Sequence, residues 1–190
     1  MKNIVRIKKE EAVLVAVDYQ EKLLPAMENS SSIEKNIVKL AKGLKVMGVP
    51  AIVTTQYARG LGQTVAPVAE AIGEFTPVDK TFFSAFRDEA FREKLESMGR
   101  KTVILAGIET HICVEQTALD LLENGYDVVL AADCCGSRDL QNHRISAARL
   151  SADGVVISGS ESILYEVLQS AKASELSLIH ISEPTRRRGI

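Results

Sequence analysis

KTVILAGIETHICVEQ, Lys101 to Gln116, runs from an apolar strand through a short polar turn into an apparent helix, with Cys113 where that helix begins. A strand this evenly apolar, without polar alternation, belongs in a parallel sheet covered on both faces. A thiol at a helix start meets the positive end of the backbone dipole and unpaired N–H groups. Both favour the thiolate, which is the reactive form. Two other polar residues close apolar runs in the same manner: Asp18 ends AVLVAVD (Ala12 to Asp18) and Lys80 ends TPVDK (Thr76 to Lys80). A carboxylate, an ammonium and a thiol at three strand ends form a candidate nucleophile site.

Outward from that stretch, the pattern repeats. Further strand candidates are AVLVAV, PAIVTT (Pro50 to Thr55), DVVLAAD (Asp127 to Asp133) and GVVIS (Gly154 to Ser158), with a weaker one over Pro77 to Lys80. Helical stripes lie between them. Ile33, Ile37, Leu40, Ala41, Leu44 and Met47 form one, closed by Gly48; Ala90, Phe91, Leu95 and Met98 form another, closed by Gly99. Val114, Ala118, Leu121 and Leu122 form a third, closed by Asn124-Gly125, and Leu164, Val167, Leu168 and Ala171 a short last one. Strands alternating with helices predict right-handed βαβ units and a mainly parallel, doubly wound six-stranded α/β sheet. Sites in such sheets form beyond the carboxyl ends of the strands, where strand order reverses.

At 190 residues, 46% of them hydrophobic, the chain reads as one domain with a full core rather than a disordered segment. A net charge of −2, with Lys and Arg scattered among acids, gives no sign of nucleic-acid binding. No apolar run approaches the roughly 20 residues needed to span a bilayer, so no membrane partner is expected. The basic start before AVLVAVD is too short and strand-like for a signal peptide. Three cysteines, two of them adjacent, make a poor disulfide framework, and the expected location is the cytoplasm. The folded unit is expected over residues 1–172. Residues 173–190, Ser-rich with Pro184 and the basic run Arg186–Arg188, read as a packing arm, a frayed tail or an appended segment.

Three motifs then make the chain recognisable. VAVDYQEKLLPAM with Asp18 and Gln20, DKTFFSAF with Lys80, and AGIETHICVEQTALDLLENGYDVVLAADCCGSR around Cys113 resemble the isochorismatase-like cysteine hydrolases, in that order and over nearly the whole length to about Lys172. QYARGLGQTV, Gln56 to Val65, is similar to the branch of the animal isochorismatase-domain proteins. The resemblance implies a three-layer α/β/α sandwich and an Asp-Lys-Cys triad at Asp18, Lys80 and Cys113. It also implies a non-proline cis peptide at Ile108–Glu109, an oxyanion hole from the N–H groups of Glu109 and Cys113, and a homo-oligomer, a dimer or larger. The implied activity is hydrolysis of a small amide or related carbonyl compound through a thioester. Asp18 would act as general base and then acid, and Lys80 would lower the thiol pKa. Family members with nicotinamidase activity carry an Asp-x-His motif that binds a metal beside the triad. The matching VTTQYARGLG, Val53 to Gly62, holds no histidine or acid, so neither a metal nor another cofactor is expected.

Other residues near these motifs have two readings each. Tyr19, Gln20, Gln56, Phe82 and Thr110 are candidates for the substrate pocket. Tyr19 and Gln20 could equally stabilise the turn, and at least one of Phe82 and Phe86 belongs in the core. Thr110 and Gln116 could simply cap a helix. His111, two residues from Cys113, points elsewhere on a helical turn and is placed outside the triad. The vicinal Cys134 and Cys135 lack metal-site spacing and read as structural thiols. Two alternatives to the amide hydrolase stay open: a non-catalytic ligand-binding or scaffolding member of the fold, and a vinyl-ether or imide hydrolase that uses Asp18 without the cysteine.

Overall fold

The computed structural model describes residues 4–179. Six strands form one sheet: β1 Ala12–Val17, β2 Ala51–Gln56, β3 Val78–Lys80, β4 Thr102–Gly107, β5 Asp127–Ala131 and β6 Val156–Ser158. Their order is β3-β2-β1-β4-β5-β6 and every paired neighbour is parallel. Strand order therefore reverses between β1 and β4, where a doubly wound sheet opens its crevice. The expected α/β sandwich is present.

The helices are α1 Ser30–Val46, α2 Ala58–Leu61, α3 Ala66–Ile72, α4 Glu89–Ser97, α5 Glu115–Glu123, α6 Leu140–Asp153, α7 Ser160–Leu168 and α8 Leu176–Ile179. The sheet separates two cores by its alternating side chains. Ala12, Leu14 and Ala16 of β1 join Ile104 and Ala106 of β4 in a cluster under α1, α3 and α7. Val13, Val15 and Val17 join Val103 and Leu105 in a cluster under α4, α5 and α6. Successive strand residues face opposite ways, so central strands buried on both sides must be apolar throughout. All six residues of β1 and all six of β4 are buried.

Helix α6 is absent from the stripes picked out in the sequence. Its buried residues are only Ser146 and Leu150, too narrow a face to register as periodicity. Its ends are nonetheless well specified: the Asp139 carboxylate accepts from the Gln141 N–H at 2.7 Å, and Gly154 closes the helix at φ 110°. The stretch beyond residue 179, including Pro184 and Arg186–Arg188, lies outside the described residues. No helix among the described residues is long and apolar enough to cross a membrane.

Candidate active site

Three strand ends meet at the reversal point. Asp18 follows directly on β1, its backbone turning left-handed at φ 56° and its side chain fully buried. β3 ends in Lys80, also fully buried, and its ammonium reaches across β2 to Asp18 Oδ2 at 2.8 Å. β4 ends in Gly107, and the chain then passes a cis Ile108–Glu109 peptide into one π-helical turn, Thr110–Val114, that carries Cys113. Gly107 has φ 154°, and a Cβ there would lie 2.5 Å from Val17 Cβ and the Val17 carbonyl oxygen. Only glycine lets β4 leave the sheet this close to β1.

The Asp18–Lys80 pair is held from several sides. Thr54, in register beside Val17, donates its hydroxyl to Asp18 Oδ1 at 2.7 Å. Lys80 Nζ also donates to Gln56 Oε1 at 2.7 Å and to the carbonyls of Phe82 and Phe83 at 3.2 and 3.1 Å. An ammonium has three protons, and four acceptors surround this one, so Lys80 works as a fixed positive charge with no proton to spare. Each Asp18 oxygen accepts one such bond and keeps a second lone pair for another proton. A buried ion pair with its remaining hydrogen bonds met is the arrangement that offsets desolvation.

Cys113 completes the group from the opposite side. Its thiol is pushed up to about 12 by burial and by the nearby Asp18 carboxylate, which together outweigh the downward pull of Lys80. Lys80 pulls in the expected direction, but the net shift is upward, which corrects the expectation of a thiolate favoured at a helix start. Cys113 sits inside the π-turn ahead of α5 rather than at an open helix start, and it is 7% exposed. Little water reaches the sulfur to solvate an anion, so the resting group is a thiol facing a carboxylate and an ammonium.

The tentative pocket residues divide. Gln56 belongs to the charged cluster: its Oε1 faces Lys80 and its Nε2 donates to the Thr81 carbonyl at 3.0 Å. Gln20 is a tie between two turns. It is fully buried, with Nε2 on the Gln56 and Gly62 carbonyls and Oε1 on the Gln56 N–H, so it ties the β1 turn to the β2 turn. Tyr19 is in the core under α1, its hydroxyl donating to the Cys134 carbonyl; large apolar area and a satisfied hydroxyl keep it there. Thr110 is likewise withdrawn, buried with Oγ1 on His143 Nδ1 at 2.9 Å, its N–H on the Gly136 carbonyl and its carbonyl accepting from Ser146. Phe82 is half-exposed at the rim, while Phe86 is in the core, edge-to-face with Tyr126. Glu109 pairs with Arg138 through two contacts of 2.9 Å. His111 Nδ1 lies 2.9 Å from Ser137 Oγ. Cys134 and Cys135 are buried, and both thiols are pushed up, chiefly by burial. Thr54 went unremarked in the sequence because a threonine inside an apolar strand carries no signal of its own. Its place opposite the end of β1 becomes visible only with the strand pairing.

Among the described residues no group of three or more His, Cys, Asp or Glu side chains is placed to hold a metal ion. The Isochorismatase domain model matches residues 12–162. Isochorismatase domain-containing protein 1 of Salmo salar is 36% identical over 156 residues, covering 82% of this chain; the chain spans 55% of that relative's length. The MAR1 ribonuclease structure from Caenorhabditis elegans superposes with a TM-score of 0.87 at 29% identity, covering 98% of each chain. The YcaC gene product of Escherichia coli, described as an octameric hydrolase of unknown specificity, superposes at 0.88 with 24% identity over 94% of this chain and 91% of its own, a likeness of fold.

Proposed function

The chain belongs to the isochorismatase family, and from that premise we propose that it is a metal-independent cysteine hydrolase of small amides or related carbonyl compounds. The observation that carries this reading is the buried Asp18–Lys80 pair at 2.8 Å, with the Cys113 thiol under the direct influence of both charges. As the sulfur approaches a carbonyl carbon, its proton passes to the free lone pair of Asp18 and the S–C bond forms. The carbonyl π electrons move to oxygen, where the N–H groups of Glu109 and Cys113 are the proposed donors. Collapse of this adduct breaks the C–N bond, and the departing amine takes the proton from Asp18. Water, deprotonated by the same carboxylate, then cleaves the thioester to a carboxylic acid and restores the thiol.

A thiol with a high pKa suits this sequence. The proton leaves only as the new bond forms, and Lys80 keeps the carboxylate fixed while the sulfur sheds charge into the substrate. With Asp18 and Lys80 fully buried and Cys113 at 7% exposure, the site favours small substrates admitted at the rim.

The test is a panel of amides, imides, esters and vinyl ethers read by ammonia or acid release, run on the wild type and Cys113→Ala together. Amide turnover in the wild type that falls at least about 10³-fold in Cys113→Ala supports the nucleophile. Turnover that survives Cys113→Ala but not Asp18→Asn moves the reading to ether or imide chemistry, and no turnover with any compound leaves a binding protein. A homo-oligomer is proposed with this function, supported by the half-exposed rings of Tyr57, Phe82 and Phe83 beside the site. Light scattering should give a mass of a dimer or more; a monomer at working concentration ends that proposal.

A further inference from the structure

The Ser84 hydroxyl is buried and has no hydrogen-bond partner among the described residues. Such groups are rare in folded proteins and ask for an explanation. Thr64 Oγ1 shares the condition, but in a half-buried residue. Ser84 is fully buried and stands where the two halves of the active site join. The carbonyl of the preceding Phe83 accepts from Lys80 Nζ at 3.1 Å. The N–H of the following Ala85 donates to Thr117 Oγ1 at 2.9 Å, and that hydroxyl donates to the Cys113 carbonyl at 2.6 Å. One neighbour is thus fixed to the cation and the other to the nucleophile's turn.

Nothing local accounts for a hydroxyl here. Ser84 precedes a short 3-10 turn, Ala85–Arg87, and makes no capping hydrogen bond to it. An alanine would fill the same place without the loss of hydration, so the fold alone gives no reason for the oxygen. The residues just before it suggest one. Phe82 and Phe83 are 51% and 54% exposed and belong to neither core cluster, and both of their carbonyls accept from Lys80 Nζ, so the segment just before Ser84 is held through its backbone and not by its side chains.

We propose that Ser84 Oγ is a substrate contact: it hydrogen-bonds the polar end of the carbonyl compound attacked by Cys113, admitted when the Phe82–Phe83 segment shifts. The proposal rests on the nucleophile reading above. It makes Ser84 a residue whose hydrogen bond exists in the complex and is missing from the free protein, so its energy appears in reactivity and not in stability.

Two alkylating probes test it on the full chain. Iodoacetamide carries an amide, iodoethane carries no hydrogen-bonding group, and mass spectrometry follows Cys113 with each. Ser84→Ala should slow the iodoacetamide reaction about fivefold, the weight of about 1 kcal/mol of hydrogen bonding, and leave the iodoethane rate unchanged. Its Tm should equal or exceed that of the wild type, and Ser84→Thr, which keeps the hydroxyl, should recover the amide preference. Equal slowing with both probes, no slowing with either, or a lowered Tm in Ser84→Ala overturns the contact and makes the hydroxyl a structural group. If instead Cys113 of the wild type reacts no faster than Cys134 or Cys135 with either probe, the nucleophile reading itself falls, and this contact falls with it.

Discussion

Two thiol-bearing turns cap neighbouring strands of one sheet, and they differ in what surrounds the sulfur. After β4, Cys113 faces a carboxylate and an ammonium locked together at 2.8 Å. After β5, Cys134 and Cys135 are equally buried, but the charge that acts on them most is the carboxylate of Asp133. That carboxylate is already committed to Ser160, accepting from its N–H at 2.7 Å and its hydroxyl at 2.6 Å. All three thiols are pushed up by burial. What separates the first turn from the second is the ammonium of Lys80, bound to the carboxylate that acts on Cys113, where Asp133 is held by the neutral Ser160. On the proposed reading, reactivity at Cys113 comes from its partners and not from the thiol pKa.

Removing the cation should break the contrast most severely. Lys80→Met leaves the Asp18 charge buried without compensation, together with the Gln56, Phe82 and Phe83 oxygens that Lys80 now satisfies. Breaking one partner out of a buried pair costs about 3–5 kcal/mol. Urea unfolding should register that loss, along with the disappearance of turnover. Asp18→Asn combined with Lys80→Met removes both charges and should recover much of the stability while turnover stays absent. Cys134→Ala, by contrast, should cost no more than about 1–2 kcal/mol and leave turnover near that of the wild type. A stable, active Lys80→Met protein would mean that the pair is neither structural nor functional.

The strands were the legible part of the fold, because burial on both faces forces unbroken apolar runs such as AVLVAV and TVILAG. The ends of those runs also brought forward Asp18, Lys80 and Cys113, since a charged or polar side chain closing a buried strand stands out against it. Three things were hidden, each for its own reason. Helix α6 buries too few residues to show a stripe. The roles of Tyr19, Gln20 and Thr110 depend on partners 33 to 115 positions away, which no local pattern encodes. The direction of the Cys113 shift depends on a balance between burial and two charges, and only the folded geometry sets the weights.

Alkaline pH gives the smallest and most even-handed probe of the two turns. Cys113 and Cys135 are each pushed from 9.0 up to about 12, so both hold their protons more tightly in the folded chain than in the unfolded one. For a group whose folded pKa is raised, the contribution to stability is complete below the unfolded value and lost as pH rises through the folded value. Below about pH 9 both states carry the proton and nothing changes. Above it the unfolded chain ionises first and is favoured, by up to about 1.4 kcal/mol per pH unit for each thiol. Wild-type stability should therefore decline from about pH 9 upward towards pH 12, and its first stretch, about pH 9 to 10, lies below the main titration of the lysines. Cys113→Ala and Cys135→Ala should each flatten that decline to a similar degree, although only the first abolishes turnover. A decline unaffected by either substitution would mean that these thiols ionise in the folded protein near their ordinary value, and that burial does not govern either turn. Equal flattening with unequal loss of activity would locate the functional difference in Asp18 and Lys80, since the two sulfurs would then be alike in everything but their neighbours.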